Sequence, residues 1–169
     1  KRSKDEVDYL MNIFANRFKG WSKVFNEENI KVVFSGRDKP LLNKVLKAMK
    51  ELEEATKDNT KGILNICINY GGRSELVDTC KKIGKMVENK EISIDDIDEE
   101  LVSRNLYNDL PDVDLMIRTS GELRLSNFML WQNSYAEFYF PKTYFPDFDE
   151  EEFDKAIIEY TKRDRRFGN

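Results

Sequence analysis

The densest run of chemistry-bearing side chains is Arg118-Thr119-Ser120-Gly121-Glu122-Leu123-Arg124-Leu125-Ser126-Asn127. It holds two guanidinium groups, three hydroxyls and a glycine-bearing stretch of backbone amides. These donors suit phosphate oxygens: arginine brings a rigid planar fork, and hydroxyls and N–H groups fill the remaining acceptors. The run follows residues 113–117, which read as a buried strand after Pro111. It therefore sits at a strand's carboxyl end, where open α/β sheets bind their ligands. Composition leaves a second reading open, in which Arg118 and Arg124 pair with Glu122 and nearby Asp residues on a solvated loop.

Glu137 is the next singular residue, because it lies in the apolar and aromatic run Tyr135-Ala136-Glu137-Phe138-Tyr139-Phe140. A carboxylate in such a setting must be paired or must bind a cation. It reads either as an ion-pair partner of one of those arginines or as a magnesium ligand facing a diphosphate. Asn69-Tyr70-Gly71-Gly72-Arg73 lies between a strand and a helix. It could hold an anion at the helix N-terminus, or it could simply be a tight turn that needs positive φ; the turn is the reading preferred here.

The chain has 169 residues and a formal charge of −4, with 40% hydrophobic and 36% charged residues. One domain over residues 1–169 is expected, and general nucleic-acid binding is a poor fit to the acidic balance. Histidine is absent, so a metal would be held by oxygen ligands, which favours a hard cation such as Mg2+. The two cysteines, Cys67 and Cys80, suggest no disulfide framework, and a reducing cytoplasm is the expected compartment. No apolar run reaches the roughly 20 residues of a membrane span, and Lys1-Arg2-Ser3-Lys4 opens no signal peptide.

The elements that must position these residues alternate between strand and helix. Ser3 and Glu6 have capping-box spacing, and Val7, Leu10, Met11, Phe14 and Phe18 recur at helical spacing, with Gly20 as the stop. Residues 30–34 read as a buried strand. Asp38-Lys39-Pro40 opens a second helix, with Leu41, Leu42, Val45, Leu46, Met49 and Leu52 on its core face. Residues 62–69 are almost continuously apolar, which predicts a strand buried on both faces of a parallel sheet. A third helix starts near Ser74, a fourth covers 94–107 after Ser93, a short helix covers 127–132, a strand 136–140 and a last helix 149–162. The whole predicts an α/β fold with a mostly parallel sheet flanked by helices.

The long block that runs from Asp112 through Arg118, Arg124, Ser126, Asn127 and Trp131 to Glu137 closely resembles the C-terminal signature of the cis-prenyltransferases, the undecaprenyl diphosphate synthase type of enzyme. Asn69-Tyr70-Gly71-Gly72-Arg73 resembles a second block of that family, Phe140-Pro141 fits it, and the similarity extends over essentially the whole chain. The resemblance implies condensation of isopentenyl diphosphate onto farnesyl diphosphate with cis double bonds, a requirement for Mg2+, and, in bacteria, a lipid carrier for cell-wall synthesis. By matching positions, Arg118, Arg124, Leu125 and Ser126 would hold isopentenyl diphosphate, Arg2 would touch a substrate diphosphate and Glu137 would hold magnesium. The first helix and the buried strands would wall a tunnel for the growing chain. Arg166 and Gly168 match the Arg-x-Gly motif that reaches the partner's active site in a homodimer. A peripheral membrane contact through the lipid product is also implied.

The family's Asp-Gly-Asn-Gly-Arg-Trp element and Ser-x-Glu-Asn-Trp block do not occur in this sequence. The expectation is that the catalytic Asp and Asn, with the strands that carry them, lie upstream of Lys1. The chain would then be the C-terminal two-thirds of the domain and inactive alone. Where some members have a His, this chain has Leu123. Two alternatives differ in class: a non-catalytic partner subunit of a heteromeric prenyltransferase, and a generic phosphate-binding α/β module. Retention of Arg118, Arg124, Ser126 and Glu137 favours the catalytic subunit over the first.

Overall fold

The structure, a computed structural model, describes residues 4–163. Ser3, Arg2, Arg166 and Gly168 lie outside the described residues. The chain divides into two compact units between Tyr70 and Gly71.

The first unit is built from α1 (Lys4–Glu27), β1 (Ile30–Ser35), α2 (Asn43–Thr56) and β2 (Gly62–Cys67). The two strands are parallel, with Ile30 opposite Gly62 and Ser35 opposite Cys67. Phe18, Val32, Val45, Ala48 and Leu52 are buried together, with Met11, Phe14, Trp21 and Phe34 packed on them. α1 does not stop at Gly20. Trp21 and Phe25 continue the stripe begun by Phe14 and Phe18, with ring centroids 5.3 Å apart for Phe18–Trp21 and 5.9 Å for Trp21–Phe25. That packing outweighs the cost of one helical glycine, about 1 kcal/mol. α2 starts later than the sequence suggests, because Leu42 is extended (φ −71°, ψ 142°) and a turn from Asp38 to Leu41 precedes it.

β2 is not buried on both faces: Ile63 and Leu64 are 53% and 37% exposed. β1 has β2 on one edge only. On the other edge the Val32 N–H donates to Thr56 Oγ1 (3.0 Å) and the Phe34 N–H to Glu53 Oε1 (3.0 Å). Residues two apart on a strand direct their donors to the same edge, and residues 53 and 56 lie on one face of α2. Two side chains of one helix thus take the Val32 and Phe34 donors on the strand edge that no third strand covers among the described residues. At the strand's carboxyl end Gly36 has φ +140°, and a Cβ there would lie 1.8 Å from the Ile68 carbonyl oxygen. Only glycine fits that crossing.

The second unit holds α3 (Gly72–Glu88), α4 (Glu99–Arg104), β3 (Leu115–Ile117), β4 (Glu137–Tyr139) and α5 (Glu150–Thr161). β3 and β4 are parallel, with Leu115 opposite Glu137 and Ile117 opposite Tyr139. The Ser93 capping box is formed with Asp96 but opens only a 3₁₀ turn, Ile94–Asp96. Ile97 and Asp98 are extended, and Asp98 then caps α4 through the Leu101 N–H at 2.7 Å. Residues 127–132 are turns rather than a helix, since Asn127 and Met129 have φ of +66° and +44°. Right-handed helical backbone cannot contain them. Among the described residues no helix is long and apolar enough to cross a membrane.

Partial burial behind β1 raises the pKa of Glu53 above its ordinary 4.5, against the lowering effect of the Phe34 N–H. Folded Glu53 keeps its proton to higher pH than the unfolded chain does. The stability it contributes is therefore complete below pH 4.5 and is lost as pH rises through the folded pKa. Glu53→Gln, which keeps an acceptor for Phe34, should flatten that part of the stability curve in urea melts taken at successive pH values. Parallel curves for the two proteins would show that Glu53 does not titrate with folding.

Candidate functional site

β3 ends at Ile117, and the arginine-bearing loop leaves from that end. Its backbone is fixed by the end of β4 and the chain that follows it. The Arg118 N–H donates to Tyr139 O (3.0 Å), Ser120 N–H to Thr143 O (2.8 Å) and Gly121 N–H to Pro141 O (2.8 Å). The pairing of the strands is prolonged past their ends, and Ser120 and Gly121 turn the chain with φ of +69° and +65°. The sequence reading offered these amides to a ligand; three of them are instead engaged by carbonyls of residues 139–143. What the loop presents outward is side chains.

Arg118 donates through Nη1 to the carbonyl of Arg124, and Arg124 pairs with Glu122. The Arg124 side chain is 60% exposed. The solvated-loop reading is right about the Glu122 pair, but the same contacts bring both arginines onto one turn. Each guanidinium carries five N–H donors in a fixed fork, and these contacts use only part of that set. Ser126, exposed and at φ +50°, closes the loop beside Leu125.

Glu137 is placed differently. It starts β4, opposite Leu115, whereas Arg118 follows the other end of β3; three strand residues span about 10 Å. Its carboxylate takes a hydrogen bond from Arg163 Nη1 at 2.8 Å, and the same nitrogen donates to Phe138 O at 3.0 Å. Arg163 is also 3.8 Å from Glu159. The partner of Glu137 is thus neither of the loop arginines but the residue two beyond the end of α5. The sequence signal for it was only a basic tail.

Among the described residues no three or more His, Cys, Asp or Glu side chains gather into a metal-binding group. Glu137 is held by Arg163. The described residues alone do not fit a magnesium cage. Magnesium characteristically keeps waters and takes substrate phosphates with one or two carboxylates, and Glu137 would have to leave Arg163 to be one of them.

The Gly71-Gly72 turn answers the anion question. Neither glycine has positive φ. A Cβ on Gly71 would lie 2.7 Å from Asn127 Nδ2, and one on Gly72 would lie 2.8 Å from Leu130 Cγ. They are glycines because the chain at 127–130 runs against them. The first two α3 donors are already taken: the Gly72 N–H goes to Asn127 O (2.7 Å) and the Arg73 N–H to Asn127 Oδ1 (2.9 Å).

Beneath this turn lies a polar core that sequence reasoning missed. Glu75 is 2% exposed, and it accepts from the Tyr107 N–H (3.1 Å) and from Gln132 Nε2 (3.1 Å). The Gln132 carbonyl accepts from Val113 N–H (2.9 Å), tying the approach to β3 to the segment that follows the loop. Trp131 Nε1 donates to Ser103 Oγ at 2.9 Å. A glutamate in the first turn of a helix carries no sequence mark of being buried.

Parallel strands flanked by helices, with an arginine-bearing loop at a strand's carboxyl end, define an α/β protein of the ligand-binding type. A family model described as "Putative undecaprenyl diphosphate synthase" matches residues 1–168. An isoprenyl transferase of Fusobacterium nucleatum is 48% identical over 167 residues, which span 99% of this chain and 70% of the relative. The ditrans,polycis-undecaprenyl-diphosphate synthase ((2E,6E)-farnesyl-diphosphate specific) of Aliivibrio fischeri is 41% identical over 169 residues, 99% of this chain and 66% of its own. Lavandulyl diphosphate synthase of Lavandula x intermedia, solved in complex with dimethylallyl diphosphate, superposes with a TM-score of 0.94 at 34% identity. That match covers 100% of this chain and 74% of the solved one. The chain belongs to the cis-prenyltransferase family, a family of transferases that elongate prenyl chains.

Glu75→Ala should lower stability by about 3 kcal/mol, since it leaves two buried donors unpaired and opens a cavity. Glu75→Gln, which keeps one acceptor, should cost less. Urea unfolding measures both, and equal losses would mean that the carboxylate's two acceptors are not what holds the turn.

Proposed function

We propose that the loop from Arg118 to Ser126 binds the diphosphate of isopentenyl diphosphate. The enzyme would then condense that substrate onto farnesyl diphosphate with cis geometry, building a long polyprenyl diphosphate of the undecaprenyl class. The observation that supports this most is the pair of guanidinium groups on one strand-end turn whose own amides are already engaged. Arg118 and Arg124 supply the charge-assisted forks and Ser126 a hydroxyl, with Leu125 beside them in the substrate-binding loop. The choice of farnesyl diphosphate follows the name of the Aliivibrio relative, since the Lavandula structure holds a different allylic diphosphate.

In the reaction the allylic carbon–oxygen bond breaks, the double bond of isopentenyl diphosphate forms the new carbon–carbon bond, and a proton is lost from the adjacent carbon. The arginines hold the nucleophilic substrate by its diphosphate, and positioning of that kind can supply several kcal/mol of the barrier reduction. Each added isoprene unit then gains roughly 0.8 kcal/mol per buried CH₂ in an apolar tunnel. The same reading covers a homodimer, a cytoplasmic enzyme that touches the membrane only through its product, and a role in cell-wall carrier synthesis. Apolar residues on α5 support the dimer: Phe153, Ile157 and Ile158 are 48%, 38% and 53% exposed. Light scattering at micromolar concentration decides it.

Arg118→Ala and Arg124→Ala should each remove a charge-assisted contact of about 1.5–3 kcal/mol, raising KM for isopentenyl diphosphate about 10- to 150-fold. Steady-state kinetics in the active enzyme checks this, and an unchanged KM in both variants would remove the loop from the substrate site.

Magnesium enters the proposal through Glu137 alone. Glu137→Gln keeps the side chain's shape but loses the charge that a hard cation needs, so the magnesium titration of activity should shift to higher concentration. A titration identical to the unsubstituted enzyme's assigns Glu137 to Arg163 only.

A further inference from the structure

The two ends of the arginine-bearing loop are anchored in different ways. Its beginning is tied to residues 139–143 by the N–H groups of Arg118, Ser120 and Gly121. Its end is tied to the start of α3 by a single residue. Asn127 accepts the Gly72 N–H through its carbonyl oxygen at 2.7 Å and the Arg73 N–H through Oδ1 at 2.9 Å. Both donors belong to the first turn of a helix, where no intrahelical acceptor exists.

The backbone around this contact is unusual. Ser126 and Asn127 have φ of +50° and +66°, so consecutive non-glycine residues sit in the left-handed region. That conformation is costly for most side chains and least so for asparagine. A turn of this kind persists only when its surroundings hold it. Here the holding contacts come from α3, and Gly71 and Gly72 have no Cβ where Asn127 and Leu130 approach. Residue 127 thus needs both tolerance of positive φ and a short side-chain acceptor, a combination that asparagine supplies.

From this clasp we infer that Asn127 is a positioning residue of the diphosphate loop: it fixes Ser126 and Arg124 against the N-terminus of α3 so that they meet the substrate's diphosphate in a set geometry. The inference rests on the reading of residues 118–126 as that loop. Asn127 acts through the turn and does not itself touch the substrate. The first two N–H groups of α3, those of Gly72 and Arg73, are already engaged by Asn127, which leaves the arginines as the main donors for the anion.

The test uses Asn127→Gly, which retains freedom for positive φ and removes only the acceptor, together with Gly71→Ala. Gly71 has φ −163°, which any residue adopts, so an added methyl acts only by pressing on Asn127 Nδ2 and swinging the amide off Arg73. In the active enzyme each variant should raise KM for isopentenyl diphosphate about tenfold, the effect of one lost hydrogen bond. The KM for the allylic diphosphate and kcat should change little. The double variant should be no worse than either single one, because the methyl then has nothing to displace. In amide exchange followed by NMR, Arg73 N–H should lose protection in Asn127→Gly while Gly72 N–H, held by the main chain, keeps it.

A loss of activity that falls on kcat alone or on both substrates equally would make Asn127 a general stability residue and overturn the inference. Additive effects of the two substitutions would do the same. If Arg124→Ala raises KM and Asn127→Gly does not, the positioning role falls while the loop reading stands. If neither changes KM, the loop reading itself falls and takes the inference with it, whatever the exchange data show.

Discussion

The strand-end loop depends on one constraint: backbone N–H groups that leave a strand must still find acceptors. Those of Arg118, Ser120 and Gly121 find the carbonyls of residues 139, 143 and 141. The loop is therefore an extension of the β3–β4 pairing and not a free excursion. Its main chain is held by that pairing, with the Arg124 side chain exposed and Arg118 bonded across the turn to the Arg124 carbonyl. A loop that turned its amides on a ligand would bind through a cradle; this one binds, on the reading proposed here, through side chains that a rigid main chain carries.

The same constraint shapes the first unit. β1 pairs with β2 along one edge, and along the other Thr56 and Glu53 take the N–H groups of Val32 and Phe34. Thr56 is fully buried, and its hydroxyl donates a hydrogen bond to the Leu52 carbonyl at 2.9 Å. A helix that packs on a strand and takes up N–H groups of its edge reduces the unpaired row that would otherwise template aggregation. The cost appears in Glu53, whose carboxylate is pushed towards its neutral form by partial burial.

Charge in the second unit is handled by pairing. Glu75 is buried against two donors, Glu137 is held by Arg163, and the Thr143 hydroxyl and Lys155 both reach Glu152. The Lys155 and Thr143 hydrogen bonds hold Glu152 below the usual carboxylate range. These contacts fasten the segment after β4 and α5 to the rest of the unit. Glu152 fixes the side chain of the residue whose carbonyl accepts from Ser120. The loop's geometry is in this way set by residues well beyond it in sequence.

The sequence by itself determined the class of fold and the position of the arginine-bearing loop at a strand's end. Those features are written in local apolar patterning and in a run of ten consecutive residues, and neither needs a distant partner to be recognised. Tertiary structure alone decided which acceptor each polar group meets. Gly71 and Gly72 read as turn glycines, yet their reason is the approach of Asn127 and Leu130, more than 50 residues away. Residues 127–132 read as a helix by pattern, but Asn127, clasped to α3, and Met129 have left-handed backbone, and the segment forms turns instead. Gly20 read as a stop, and packing of Trp21 and Phe25 carried α1 past it. Glu137 was marked in the sequence as a carboxylate in need of a partner, but Arg163 was not legible as that partner. Hydrophobic period is a local property, whereas hydrogen-bond satisfaction is settled only when the chain has closed on itself.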